Sequence, residues 1–100
     1  ILKCQEHTKT NLFRPPYGRI TKRQYGTLAK NYKIVFWDVL THDYDKTLKP
    51  EKCLKNSITY TRNGSIVVFH DNVKAENNVK YVLPRYIEHF LKLNFKFATL

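Results

Sequence analysis

Apolar residues fall into four runs separated by amphipathic segments, and this order predicts strands that alternate with helices. Residues 33–40 form a continuous β-branched and aromatic run, which is typical of a strand buried on both faces of a parallel sheet. Shorter runs at 12–13 and 65–69 predict two further strands, and residues 95–100 alternate as a last one. Residues 1–10 read as the end of a helix.

Two of the intervening segments carry explicit helix signals. Thr21 and Gln24 have the spacing of a capping box, which predicts a helix over 21–32. Pro50 suits the first turn of a second helix, and Asn63-Gly64 is a typical helix stop.

The third predicted helix carries the clearest apolar stripe, from residue 79 to 91. A loop over 72–78 precedes it, and Pro84 must lie in its first turns or kink it. Strands joined by such helical crossovers predict an α/β fold with about four parallel strands and three helices. Four such strands are either half of a closed barrel or a small open sheet, and half a barrel leaves an edge that missing chain or a partner would cover.

Composition limits the function classes. With 100 residues, 42% of them hydrophobic, the chain suits one folded domain. A net charge of +10 suggests an anionic partner, either nucleic acid or an acidic polymer, although the lysines are scattered and no base-stacking platform is apparent. Cys4 and Cys53 form neither a disulfide framework nor a metal cluster. No apolar run reaches membrane-spanning length.

Polar side chains follow three successive predicted strands, where parallel α/β folds bind ligands. The segment Phe13–Gly18 contains two adjacent prolines, which hold Arg14 and Tyr17 on a stiff non-helical corner. Further polar residues lie in and after the second strand and after the third: Asp38, His42, Asp43, Asp45, His70 and Asp71. We therefore predict that the three sets converge on one site.

This residue set suits hydrolysis. As a histidine, His70 can protonate a leaving group, and either Asp43 or Asp38 can orient it. Arg14 can hold a second carboxylate, and the Tyr17 N–H can face an oxyanion. Trp37 is either a core residue or the wall of a pocket. The sequence contains no phosphate loop, no nucleophile elbow and no histidine pair for a metal.

Three segments resemble motifs of the polysaccharide deacetylases, carbohydrate esterase family four, also called the NodB-homology domain. Residues 13–18 (Phe-Arg-Pro-Pro-Tyr-Gly) resemble its third motif, residues 36–45 its fourth and residues 66–71 its fifth. Residues 83–100 also resemble the family's last helix and strand. The resemblance implies that residues 1–100 are the C-terminal half of a single distorted (β/α) barrel domain, with no second domain.

The resemblance also implies roles for individual residues. His70 would be the general acid, Asp43 would tune it, Arg14 would hold a catalytic-base aspartate and the Tyr17 N–H would bind the oxyanion. The residues expected to contact substrate are Trp37, Val68 and Asp38. The implied reaction is metal-dependent removal of N- or O-acetyl groups from a polysaccharide such as peptidoglycan, a chitin-like oligomer or xylan, in the cell envelope or outside the cell.

The family's aspartate pair and its two histidines one turn apart, which supply the base and the metal ligands, are absent from these 100 residues. The intact enzyme would hold a divalent metal, most simply zinc, while this chain alone would bind none and deacetylate nothing. A missing N-terminal half or a second chain would complete the barrel. The alternatives are a non-catalytic basic module that binds an acidic glycan or nucleic acid, and a degenerate homologue with a structural role.

Overall fold

The structure is a computed structural model that describes residues 6–100. The chain separates into two compact units, Ile1–Phe36 and Trp37–Leu100. Each unit contains one pair of short parallel strands. Among the described residues, no helix has the length and apolar character required to cross a membrane.

In the first unit, strand β1 (Leu12–Phe13) pairs with β2 (Lys33–Ile34), and helix α1 (Lys22–Leu28) connects them. The predicted capping box is confirmed, because Thr21 and Gln24 exchange side-chain-to-backbone hydrogen bonds of 3.0 and 3.1 Å. The helix ends at Leu28 rather than at residue 32, since the chain must turn before β2 begins. Of the helix predicted over 1–10, residues 6–8 are helical and residues 9–10 are not. Residues 1–5 lie outside the described residues.

In the second unit, strand β3 (Val39–Leu40) pairs with β4 (Val67–Val68) through helix α2 (Pro50–Tyr60). The prediction of one continuous strand over 33–40 is wrong. Its two ends belong to different pairs, β2 with β1 and β3 with β4, so the residues between them leave the ladder. A strand extends only as far as its partner's backbone groups continue.

Helix α3 (Glu76–Lys92) begins inside the segment predicted as a loop and runs through Pro84. Its early start has a local cause, since the Asn72 side chain accepts a 3.0 Å hydrogen bond from the Ala75 N–H and opens a 3-10 turn that leads into the helix. The last predicted strand, residues 95–100, is also wrong. Phe95 donates its N–H to the Phe90 carbonyl at 2.9 Å, and no residue from 95 to 100 belongs to a strand.

The core of the second unit forms where α2 and α3 pack together. Cys53 of α2 and Val82, Tyr86 and Phe90 of α3 are buried, and each large apolar side chain so placed contributes about 1.5–3 kcal/mol. Burial raises the pKa of Tyr86 against an opposing hydrogen bond with Thr61, whose Oγ1 lies 2.7 Å from the phenol oxygen. This packing fixes the start of α3 beside the loop that follows β3.

Candidate active site

Asp43 and His70 meet at the carboxyl ends of β3 and β4. Because the two strands are parallel neighbours, with Leu40 opposite Val68, the segments that follow them leave the same end of the pair. Asp43 Oδ1 lies 2.7 Å from His70 Nδ1, and Asp43 Oδ2 accepts the His70 backbone N–H at 2.5 Å. The carboxylate is fully buried, whereas 34% of the imidazole is exposed.

The geometry determines which imidazole nitrogen can act in proton transfer. An ionised carboxylate only accepts hydrogen bonds, so Nδ1 carries a hydrogen that it donates to Asp43. Nε2 is then the nitrogen that can exchange a proton with a bound molecule. The ring and backbone N–H groups of His70 both donate to the Asp43 carboxylate, and these bonds compensate for the water that the buried anion has lost. The arrangement suits a general acid held in one tautomer and one orientation.

Asn78, in the first turn of α3, holds the loop that carries Asp43. Its buried Nδ2 donates to the Asp43 carbonyl at 3.0 Å and to the Asp45 carbonyl at 3.2 Å. Sequence reasoning missed this residue because it assigned residues 72–78 to a loop. The available signal was spacing, since residues 78, 82, 86 and 90 recur every fourth position and all four are buried.

Two aromatic contacts surround the loop after β3. The Tyr44 ring meets the His70 ring edge-on, with centroids 5.3 Å apart. The Tyr44 hydroxyl also lies 3.1 Å from His42 Nδ1. His42 has a positive φ of 57°, a conformation that costs about 1–2 kcal/mol outside glycine. Tyr44 therefore contacts both the strained residue before Asp43 and the ring of the candidate acid.

Asp38, the other carboxylate considered for orienting His70, has a different set of partners. It accepts the Ile66 N–H at 2.6 Å and the Ser65 hydroxyl at 2.9 Å, so it ties the start of β3 to the start of β4. Desolvation alone would raise the pKa of Asp38, but these hydrogen bonds and the charge of Arg62 outweigh it and lower the pKa. Of the two carboxylates, Asp43 is the one bonded to His70.

The remaining polar residues after these strands are exposed or serve the loop itself. Hydrogen bonds from the Thr47 hydroxyl and N–H, at 2.6 and 2.9 Å, lower the pKa of Asp45. Asp71 is exposed next to His70. Trp37 and Val68 are half-buried, and Val68 is the last residue of β4.

The Arg14–Gly18 corner is built by backbone geometry within the first unit. Pro15 is buried and its carbonyl accepts the Gly18 N–H at 3.0 Å, while Pro16 accepts the Arg19 N–H at 3.1 Å. Tyr17 has left-handed backbone angles (φ 56°, ψ 19°) and a side chain that is 91% exposed. The hydrogen bonds that close this turn do not use the Tyr17 N–H.

Residues 6–100 contain no group of three or more His, Cys, Asp or Glu side chains arranged to hold a metal ion. Asp43 and His70 are two such side chains, but they bond to each other and one of them is fully buried. The described residues therefore do not fit a metal centre of their own.

Comparison with known proteins identifies relatives that act on polysaccharides. No protein-family model matches the chain. A bifunctional xylanase/xylan deacetylase of Cellvibrio japonicus is 30% identical over 71 residues, which are 70% of this chain and 10% of that protein. The chain thus spans about a tenth of the length of this curated relative.

A solved structure superposes on most of the chain. The crystal structure of the Bc1960 peptidoglycan N-acetylglucosamine deacetylase, in complex with 4-naphthalen-1-yl-N-oxidanyl-benzamide, superposes with a TM-score of 0.83 and 26% sequence identity. The match covers 91% of this chain and 43% of that one. Taken with the motifs at its strand ends, these similarities support a polysaccharide deacetylase domain of the NodB-homology type.

Proposed function

We propose that the protein containing this chain hydrolyses N- or O-linked acetyl groups on a polysaccharide. The observation that carries the proposal is the buried Asp43 carboxylate, which bonds to both the ring nitrogen and the backbone nitrogen of His70. The two related deacetylases, one named for xylan and one for peptidoglycan, support the reaction class and the type of substrate.

In this proposal His70 is the general acid. When the tetrahedral intermediate collapses, the bond between the acyl carbon and the sugar nitrogen or oxygen breaks, and the proton on His70 Nε2 passes to that departing atom. Asp43 is the positioning residue: because it engages Nδ1, Nε2 is the nitrogen left to transfer a proton. General acid catalysis of this kind contributes about 10²–10⁴-fold.

We assign the remaining predicted site residues on the family's pattern. Arg14 holds the base aspartate, and the Tyr17 N–H, which the turn leaves unused, donates to the oxyanion. Trp37 and Val68 line the acetyl pocket, whereas Asp38, which bonds to Ser65 and Ile66 at the start of β3, is not assigned to it.

The metal and the base are proposed to come from outside this sequence. A bound divalent ion, most simply zinc, would polarise the acetyl carbonyl, but residues 6–100 hold no cluster for it. We therefore expect the 100-residue chain alone to release no acetate. We further propose that the strands described here belong to a partial (β/α) barrel that an upstream half or a second chain completes.

The general-acid assignment is testable by varying the leaving group. In the protein that contains this chain, His70→Ala is expected to lower kcat for release of acetate from acetylated xylan or an N-acetylated glycan by roughly 100-fold or more. Hydrolysis of 4-nitrophenyl acetate should fall far less, because nitrophenolate leaves without being protonated.

The matched control is His89→Ala, which removes an exposed histidine of α3 and should leave both activities unchanged. An equal loss by His70→Ala on the glycan and on the nitrophenyl ester would contradict the acid role. Absence of acetate release from every acetylated glycan would contradict the proposed function as a whole.

A further inference from the structure

A basic groove lies beside the candidate site in the second unit. Lys46, Lys49 and Lys74 line it, together with Glu76 and Asn78. Its walls are the loop that follows Asp45 and the turn that opens α3. Asn78 belongs to the wall and also holds the carbonyls of Asp43 and Asp45, so the groove and the Asp43 loop share a structural support.

The charge of this groove is not neutralised from within the described residues. Among residues 6–100 none of its three lysine ammonium groups has an ion-pair partner. The one acidic side chain that lines it, Glu76, is paired with Lys80 at 2.7 Å. Three like charges along one groove repel each other, and an anionic ligand would remove that cost.

The groove is also continuous with the surface around His70. A second depression is lined by His70, Asp71, Asn72 and Lys80, and it shares Val73 and Glu76 with the groove. Val73 is 81% exposed on this common rim. An extended chain of sugars that presents one unit to His70 can therefore cross Val73 and place a neighbouring unit among the lysines.

We propose that this groove is a subsite for a carboxylate-bearing sugar, and that the preferred substrate is an acidic acetylated polysaccharide. The inference rests on the proposed function for the position of the acetyl group, but charge complementarity between lysines and carboxylates carries the subsite itself. A carboxylate on the glycan is the occupant we commit to, because a polysaccharide can carry it on the strand that bears the acetyl group.

The test compares two substrates that differ only in their carboxylates. One is acetylated glucuronoxylan, and the other is the same preparation after an α-glucuronidase has removed its glucuronic acid. The triple variant Lys46→Gln, Lys49→Gln, Lys74→Gln should raise KM on the acidic substrate about five- to tenfold, as expected for three exposed charge contacts. Its kcat, and both constants on the neutral substrate, should remain unchanged.

The charge-matched control is Lys52→Gln, Lys55→Gln, Lys96→Gln, which removes three exposed lysines of the same unit that do not line the groove. It should leave KM unchanged on both substrates. An equal rise in KM for the two triple variants would overturn the subsite, because it would reflect net charge alone. A rise of equal size on the acidic and neutral substrates would also overturn it.

A binding measurement separates failure of the subsite from failure of the proposed function. Affinity electrophoresis in glucuronoxylan without acetyl groups needs no catalysis, and retardation of the wild-type protein that the groove variant loses would support the subsite even if no acetate is released. Equal retardation of the wild type and the groove variant would overturn it. Binding of duplex DNA through the same three lysines at equal or higher affinity would also overturn the choice of a carboxylated glycan.

Discussion

The two segments that carry candidate catalytic groups are held in place by different kinds of force. Asp43 and His70 are 27 positions apart and are joined by side-chain hydrogen bonds in a buried setting. Tyr17 is held by its immediate neighbours, two prolines and a glycine, in a left-handed conformation with an exposed ring. The first arrangement depends on packing of the whole unit, and the second depends on local backbone sterics.

The two units also differ in how many side chains are buried around these segments. In the second unit a cluster of Cys53, Val82, Tyr86 and Phe90 lies behind the Asp43 loop. Among residues 6–36 of the first unit, only Pro15 and Val35 are buried. A site built on long-range contacts should therefore be sensitive to single substitutions, while a site built on local geometry should tolerate changes that keep the backbone shape.

The largest effect is expected from Asp43→Ala, which removes the acceptor of both His70 hydrogen bonds. The loss of one partner of a buried, charge-assisted contact should lower the free energy of unfolding by about 3 kcal/mol, measured by urea denaturation. Asp71→Ala, which changes an exposed carboxylate next to His70, is the control and should change stability little. If both variants lose the same stability, the buried pair is not what holds the segment.

A smaller effect is expected from Asn78→Ala. Two hydrogen bonds to backbone carbonyls disappear, one in a buried and one in a half-buried setting, so the free energy of unfolding should fall by about 2 kcal/mol. Asn77→Ala serves as the control, because Asn77 is the exposed neighbour in the same helical turn. A loss as large in Asn77→Ala would show that helix propensity, rather than the clamp on the Asp43 loop, explains the result.

In the locally built segment, Tyr17→Asn should leave stability unchanged or raise it by up to about 1 kcal/mol, since asparagine tolerates left-handed angles better than tyrosine. Thermal unfolding measures the effect. Tyr60→Asn removes another exposed tyrosine, 71% accessible and at the end of α2, and should bring no such gain. Destabilisation by Tyr17→Asn of more than 1 kcal/mol would mean that the ring, rather than the backbone, holds this corner.

The smallest effect concerns the dependence of stability on pH. The folded pKa of Asp38 lies below its ordinary value of 3.8, so its ionised form is favoured by folding. The stability that ionised Asp38 contributes is complete when the pH lies above its ordinary pKa. This stability is lost as the pH falls through the lower pKa of the folded state. Wild type should therefore be more stable than Asp38→Asn near neutral pH, and the difference should shrink in urea titrations below about pH 4. A difference that is constant with pH would contradict this contribution.

Local signals in the sequence predicted several elements correctly. The capping box at Thr21 and Gln24, the start of α2 at Pro50 and the short strand before the prolines are all present in the structure. The capping box and the helix start depend on residues a few positions apart, whereas the strand also needs β2 as its partner. The resemblance to the family was also recognisable from three short motifs, because the candidate catalytic groups at strand ends follow apolar runs whose length and order are visible in the chain.

The errors occurred where partners are distant in sequence. The run at 33–40 looked like one strand, but its two ends pair with different strands. Residues 95–100 alternate as a strand does, yet Phe95 packs against Phe90 with ring centroids 4.9 Å apart. Alternation records which faces are apolar, and it cannot specify which backbone lies alongside.

The sequence alone determined the class of fold, the candidate residues for acid catalysis and the rigid corner at Arg14–Gly18, because these follow from composition, spacing and proline sterics. Only the tertiary structure decided that Asp43 rather than Asp38 bonds to His70, and that Asn78 holds the loop that carries Asp43. In the structure Asp38 precedes β3 and Asp43 follows it, so the two carboxylates lie at opposite ends of this strand. Parallel pairing with β4 brings His70, which follows β4, to the end at Asp43, and the choice therefore depends on residues 27 to 35 positions away.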